Sequence, residues 1–338
     1  MTDPDPIRRI ADAVLYEGYI LWPYRRTATK NRRRWTFGGV YPRGHSEGRE
    51  DDPWTMQTQC LLEAEPAAAI EVGVRFLQVV ERLIEAESEP GPRFVDELVV
   101  GGERHLAWEE AREREIVASD LLAGELATPR RVAIGIPAGE EREELRETDG
   151  TLAGTIVRRW RGLSGWVEIA ADPAAPGVLR LTVRIANESE WPGGAREEAL
   201  KRTLCSTHTT LHATGGEFVS MTDPPAELAE AARACSNEGT WPVLVGEPGE
   251  KRTVLSSPII LEDHPRIAPE SPGDLFDGGE IDQLLTLNIL SLTDEEKAEM
   301  RDSDPRAREI LERTEALTEE ELMRLHGAIR EFGMVRER

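Results

Sequence analysis

Cysteine is scarce: Cys60, Cys205 and Cys235 are the only three in 338 residues. They are too few and too far apart for a disulfide framework, which predicts a reducing compartment, the cytoplasm. Lysine is nearly as rare. Only Lys30, Lys201, Lys251 and Lys297 occur, so the positive charge is almost all arginine, with its forked, bidentate donors. No apolar run approaches the roughly 18 residues of a membrane-spanning helix. The opening MTDPDPIRRIADA has no basic stretch leading into an apolar one, so secretion is not expected. There is no nucleophile elbow, Walker loop, GxGxxG turn, HExxH or kinase signature, and no motif therefore names a reaction.

Acidic charge dominates what is present. The formal net charge is −23, yet residues 1–50 hold ten Lys or Arg against six Asp or Glu, a local net of +4. The rest is strongly acidic and argues against non-specific binding to nucleic acid, whose affinity rests on cationic contacts. The positive charge is concentrated in Tyr16 to Tyr41, YEGYILWPYRRTATKNRRRWTFGGVY, which also holds seven of the 18 aromatic residues, including all four tyrosines. Arg25, Arg26, Lys30, Arg32, Arg33 and Arg34 lie between two aromatic clusters. A β-hairpin with aromatic arms and a basic connection is the simplest fold for it. Three roles fit: a core hairpin whose loop pairs with the protein's own acidic surface, an anchor for an acidic protein partner, or a groove for single-stranded nucleic acid.

Before that stretch, Ile7, Ile10, Ala11 and Val14 have helical spacing. After it, PRGHSEGREDDP reads as a polar loop. Gln57–Glu63 and Ala69–Ile84 then have the texture of strands, with Ile70, Val72, Val74, Phe76 and Leu77 nearly alternating and Glu71 and Arg75 outside. Residues 140–147 are highly charged and read as a loop. The clearest strand is GVLRLTVRIANES, where Leu179, Leu181, Val183 and Ile185 alternate with polar neighbours. LCSTHTTLHAT and EFVSMTDP read as a strand pair turning at Gly215-Gly216. Near the end, Thr293-Asp-Glu-Glu296 and Thr318-Glu-Glu-Glu321 are capping boxes, and Asp304-Pro305 is an N-cap before a proline at the first helical position. Three helices follow from these signals.

The pattern predicts an α+β, mainly β protein, with antiparallel sandwich-like sheets followed by a C-terminal helical segment. Its divisions fall at 1–135, an N-terminal β-rich region with the basic aromatic hairpin; 136–150, a charged loop; 151–285, a second β-rich region; and 286–338, the terminal helices.

Two clusters raise metal chemistry. In Cys205-x-x-His208-x-x-x-His212, strand alternation puts His208 and His212 on one face and Cys205 on the other. Two ligands fall short of the tetrahedral set a zinc ion needs. Asp274, Asp277, Glu280 and Asp282 surround Gly278-Gly279 and raise Ca²⁺ or Mg²⁺, but their spacing is not that of an EF-hand loop and a turn capping the segment IDQLLTLNIL explains them. Asp263-His264 is an adjacent acid and base that do not face each other on an extended chain. No cofactor is expected.

YEGYILWPYR, KNRRRWTFGG, TWPVLVGEPG, SSPIILEDHPRIAPESPGDLFDGGEID and LTDEEKAEMR together resemble a family of uncharacterised proteins encoded beside high-affinity, actinobacterial-type [NiFe] uptake hydrogenases. The resemblance covers most of the chain and transfers no functional residue. It implies a non-enzymatic accessory role in assembly or maturation, with hydrogenase subunits or another maturation factor as partner. A metal-dependent enzyme of the same system and a nucleic-acid-binding regulator acting through residues 25–34 are the alternatives.

Overall fold

The computed structural model describes residues 6–16, 37–266, 289–303 and 305–318. Thirteen strands lie within them: β1 (Thr55–Ala86), β2 (Arg93–Val95), β3 (Glu97–Val100), β4 (Glu103–Leu106), β5 (Trp108–Leu122), β6 (Arg130–Ile136), β7 (Gly139–Arg146), β8 (Leu152–Trp160), β9 (Leu163–Ala175), β10 (Val178–Asn187), β11 (Cys205–Phe218), β12 (Trp241–Leu244) and β13 (Thr253–Ser257). The helices are α1 (Pro6–Tyr16), α2 (Arg43–Ser46), α3 (Arg196–Leu200), α4 (Ala229–Arg233), α5 (Asp294–Ser303) and α6 (Pro305–Glu315). The protein is mainly β, with one large antiparallel sheet and helices near the C-terminus.

β3 and β4 pair only with each other, and the large sheet is organised around β1, which pairs directly with β2, β5, β8, β10 and β11. Straight, its 32 residues would span roughly 100 Å, far more than the body of such a protein, so the strand must bend. It does so by changing partners. Residues 55–63 pair with β10, 69–82 with β5 and 84–86 with β2, while 62–77 pair with β11 and 81–86 with β8. The two stretches read separately as strands, 57–63 and 69–84, are parts of this one strand. Pro66 sits in the irregularity between them, where β1 skips from Ala64 to Ala69 against β11.

One face of β1 (Met56, Leu62, Ile70, Val72, Val74 and Phe76) packs against Val167 and Ile169 of β9, Leu181, Val183 and Ile185 of β10, and Leu211 and Ala213 of β11. That is the sandwich interior, and it draws on both β-rich regions. The division at 136–150 therefore marks no break in the sheet.

The charged segment expected as a loop is β7, paired with β8 from Gly139 to Arg146. Its carboxylates do not favour strand structure by themselves. Cross-strand arginines supply the reason: Arg159 bonds Glu140 at 2.5 Å, Arg112 bonds Glu141 at 2.7 Å and Arg158 bonds Glu143 at 2.8 Å. Hydrogen bonds from Arg159 and Arg142 hold Glu140, and one from Arg112 holds Glu141, below the ordinary carboxylate range.

Gly215-Gly216 is not a hairpin turn, because β11 runs unbroken through it. Gly215, at φ +84°, lies opposite the Pro66 irregularity and lets β11 follow the bend. The capping box at Thr293 forms as expected: Thr293 N–H donates to Glu296 Oε2 at 3.0 Å, and Glu296 N–H to Thr293 Oγ1 at 3.2 Å. Residues 319–338, including the expected third helix, lie outside the described residues. No helix among the described residues is long and apolar enough to cross a membrane.

Candidate functional site at the roots of the basic segment

Arg25, Arg26, Lys30, Arg32, Arg33 and Arg34 lie outside the described residues, as do Asp274, Asp277, Glu280 and Asp282. The two roots of the basic segment, Tyr16 and Phe37, are described, and they converge. α1 carries the chain to Tyr16. Ile10, Ala11 and Val14 bury one stripe of the helix against Val243, Val245 and Leu255, as its periodicity predicts. Leu15 enters a second cluster with Tyr41, Leu77 and Cys205.

Ser206 holds both roots. Its hydroxyl donates to the Val14 carbonyl at 3.1 Å, and its backbone N–H donates to the Phe37 carbonyl at 3.1 Å. Thr207 N–H donates to Gly38 O at 2.9 Å, and Val40 and Leu204 exchange a pair of backbone bonds. Ser206 has φ +51°, a conformation that costs a non-glycine residue of order 1 kcal/mol or more. The surrounding bonds hold it there.

The cause is a bulge at the start of β11. Cys205 pairs with Leu77 and His208 with Arg75, a shift of one residue. Cross-strand partners share a face, so Cys205 and His208 lie on the same face, not on opposite ones as strict alternation predicted. A bulge cannot be read from residue types that are all compatible with a strand. Downstream the register is regular, so His208 and His212 also share a face, as expected.

The three do not converge. Four residues of strand separate His208 from His212, about 13 Å, and side chains standing perpendicular to a sheet do not close on one ion at about 2 Å across that span. His212 is exposed and meets Thr253 Oγ1 through Nδ1 at 3.0 Å. His208 is fully buried, and burial pushes its pKa down to about 4. Its Nδ1 lies 3.2 Å from the Ser206 carbonyl, so that nitrogen carries the proton of the neutral ring. Among the described residues, no group of three or more His, Cys, Asp or Glu side chains could hold a metal ion.

Arg75, read from the sequence as facing outward, is on the outer face of the sheet but buried beneath α1. Its guanidinium pairs with Asp12 Oδ1 at 2.6 Å and Glu113 Oε2 at 3.1 Å, and Tyr16 Oη donates to Glu113 Oε1 at 2.8 Å. The last two turns of α1, which lead into the basic segment, are thereby tied to β1 and β5 by charge. The sequence held a faint signal for this: Asp12 falls outside the helix's apolar stripe, and an amphipathic helix laid on a sheet brings such a residue near its margin.

Asp263 and His264 do not act on each other. Asp263 accepts from Ser220 Oγ at 2.5 Å, Thr222 Oγ1 at 2.8 Å and Leu244 N–H at 2.8 Å, which fastens the chain beyond β13. His264 lies over the Gly246 carbonyl at 3.3 Å. No known family model matches the sequence, and no curated protein matches it.

Proposed function

We propose that this is a non-enzymatic accessory protein that acts in the cytoplasm by docking on another protein through the basic segment Arg25–Arg34. The observation that carries this reading is the double anchorage at Ser206. On either side of the stretch that holds the six cations, Val14 and Phe37 are both bonded to one strained residue, and the Arg75 ion pairs brace α1. Fixing both ends lowers the ordering cost that a flexible arm would meet on binding. An acidic partner surface is the complement, and arginine is the cation best suited to pair with carboxylates. The resemblance to proteins encoded beside [NiFe] hydrogenases supports a hydrogenase subunit, or another factor in its maturation, as that partner.

Pull-down from a native extract with the wild-type chain and an Arg32→Glu/Arg33→Glu/Arg34→Glu variant tests the proposal. The variant is expected to lose the specific partner while keeping its far-UV spectrum. Recovery of every partner unchanged by the charge reversal refutes it.

A further inference from the structure

The wall around the sandwich interior is not closed by hydrogen bonds. β6, β9, β10, β1 and β5 follow one another in a single path, and its two ends are consecutive in sequence, joined by residues 123–129. From Glu110 on, β5 pairs only with β1, and β6 only with β9, among the described residues. Both strands nevertheless line the same interior, β5 through Ile116, Ala118 and Leu121 and β6 through Val132, Ile134 and Ile136. Ile116, Val132 and Ile136 are only half-buried. The free edges of β5 and β6 are thus the two sides of one seam.

An exposed strand edge is a template for another chain unless it is blunted. β7 is blunted by charge, which six of its eight residues carry. β12 has Pro242, and its Leu244 gives its N–H to Asp263 Oδ1 at 2.8 Å and accepts from His264 N–H at 2.7 Å. β5 is charged through its first half and irregular at Asp120, φ +58°. β6 is not blunted: from Val132 to Ile136 it has no charge, no proline and an unbroken register with β9. Charge marks the two ends of the seam instead. Arg130 shares the face of Val132, is exposed and meets no carboxylate among the described residues. Arg114 shares the face of Ile116, and its Nε donates to Gln78 Oε1 at 2.9 Å. Gln78 is fully buried and fixed by its own bond to the Arg161 carbonyl at 2.7 Å. The next residue, Gly162, abuts β6: a Cβ there would lie 3.4 Å from the Ile136 carbonyl oxygen. Arg114 is therefore oriented by a neutral amide near the Ile136 end, with no ion pair among the described residues. Burial and the neighbouring Arg112 charge hold its pKa below the ordinary guanidinium range.

We propose that the seam between β5 and β6 accepts a strand: an extended segment of a protein partner adds to the free edge of β6, lays apolar side chains at alternate positions over Ile116, Val132 and Ile136, and carries a carboxylate at each end for Arg130 and Arg114. In such an addition main-chain bonds supply affinity and the alternate side chains supply selectivity. The arginine forks select carboxylates at the ends. A second copy of this chain is a poor occupant, because β6 itself has no acid and two β6 edges would leave every arginine unmatched. The seam uses no residue of the basic segment, so it stands or falls apart from the docking proposal.

Titration of the full, nitrogen-15-labelled chain with the synthetic peptide DTVTVTVTD, followed by amide shifts and hydrogen exchange, provides the test. The peptide should shift amides of β5 and β6 and slow exchange along β6. KTVTVTVTK, with the end charges reversed, and DTVTPTVTD, which cannot complete a ladder, should each bind about tenfold more weakly or worse. Arg130→Gln and Arg114→Gln should each weaken DTVTVTVTD by about tenfold, and Arg32→Glu/Arg33→Glu/Arg34→Glu should leave its binding unchanged. If Arg114→Gln fails to fold, Arg130→Gln, at an exposed position, decides the role of charge. No shift at about 1 mM peptide, equal binding of the three peptides, or shifts outside β5 and β6 overturns the proposal. Edge amides of β6 already protected from exchange before peptide is added also overturn it. Sedimentation then separates the two sources of that protection: a dimer means a second copy fills the seam, and a monomer means the chain's own residues do.

Discussion

His208 shows how one buried side chain ties stability to pH. Burial depresses its folded pKa to about 4, whereas an unfolded histidine titrates near 6.5. Between those values the unfolded chain binds a proton that the folded chain refuses, so stability falls as pH drops from about 6.5 to about 4. The full gap corresponds to about 3 kcal/mol. Urea unfolding of wild type and His208→Gln across this range isolates the effect, because titrating carboxylates are common to both. The stability difference should shift in favour of the glutamine variant as pH falls; parallel curves would mean that His208 titrates normally. Little of this was legible in the sequence, where His208 stood as one member of a doubtful metal triplet. Its burial depends on how the chain packs around β11, and its relation to Cys205 depends on a one-residue bulge.

Single elements were easier to read where one physical signal governed them. The alternation in β10, the stripe on α1 and the reciprocal cap at Thr293 all follow from local sequence and all form. The failures lie where a distant partner decides. Gly-Gly suggested a turn, but β11 passes through because the bend in β1 requires a left-handed residue opposite Pro66. The acidic run 140–147 suggested a loop, but arginines on β5 and β8 turn it into a strand. Gly215→Ala separates these causes. A new Cβ would stand 3.7 Å from Ala68 Cα, an ordinary contact, so the cost is conformational, about 1 kcal/mol. Chemical denaturation should show that loss with the strand retained. A neutral substitution would mean that the φ of +84° is not needed to follow the bend.

At the scale of the whole molecule, β1 replaces a two-region description with a shared one. The halves before and after residue 136 exchange strands: β10 and β11 from the second half pair with β1 from the first. Their apolar faces fill one cluster. Neither half can keep its interior when the other is removed, since β1 would lose its neighbours while β9 and β10 would expose Val167, Ile169, Val183 and Ile185 to water. A shared interior of this kind couples the halves energetically and predicts a single cooperative unfolding transition. Two truncating substitutions probe it from opposite ends: Phe76→Ala in β1, expected to cost about 3–5 kcal/mol, and Ile185→Ala in β10, about 2–5 kcal/mol. Tryptophan fluorescence samples both halves through Trp54, Trp108, Trp160, Trp166 and Trp241, and far-UV circular dichroism reports the sheet. In urea, the two probes should give coincident curves for wild type, and each substitution should move the whole curve to lower denaturant without splitting it. A biphasic curve in which Phe76→Ala shifts one phase and Ile185→Ala the other would restore the division near residue 136 and leave β1 as a bridge between two cores.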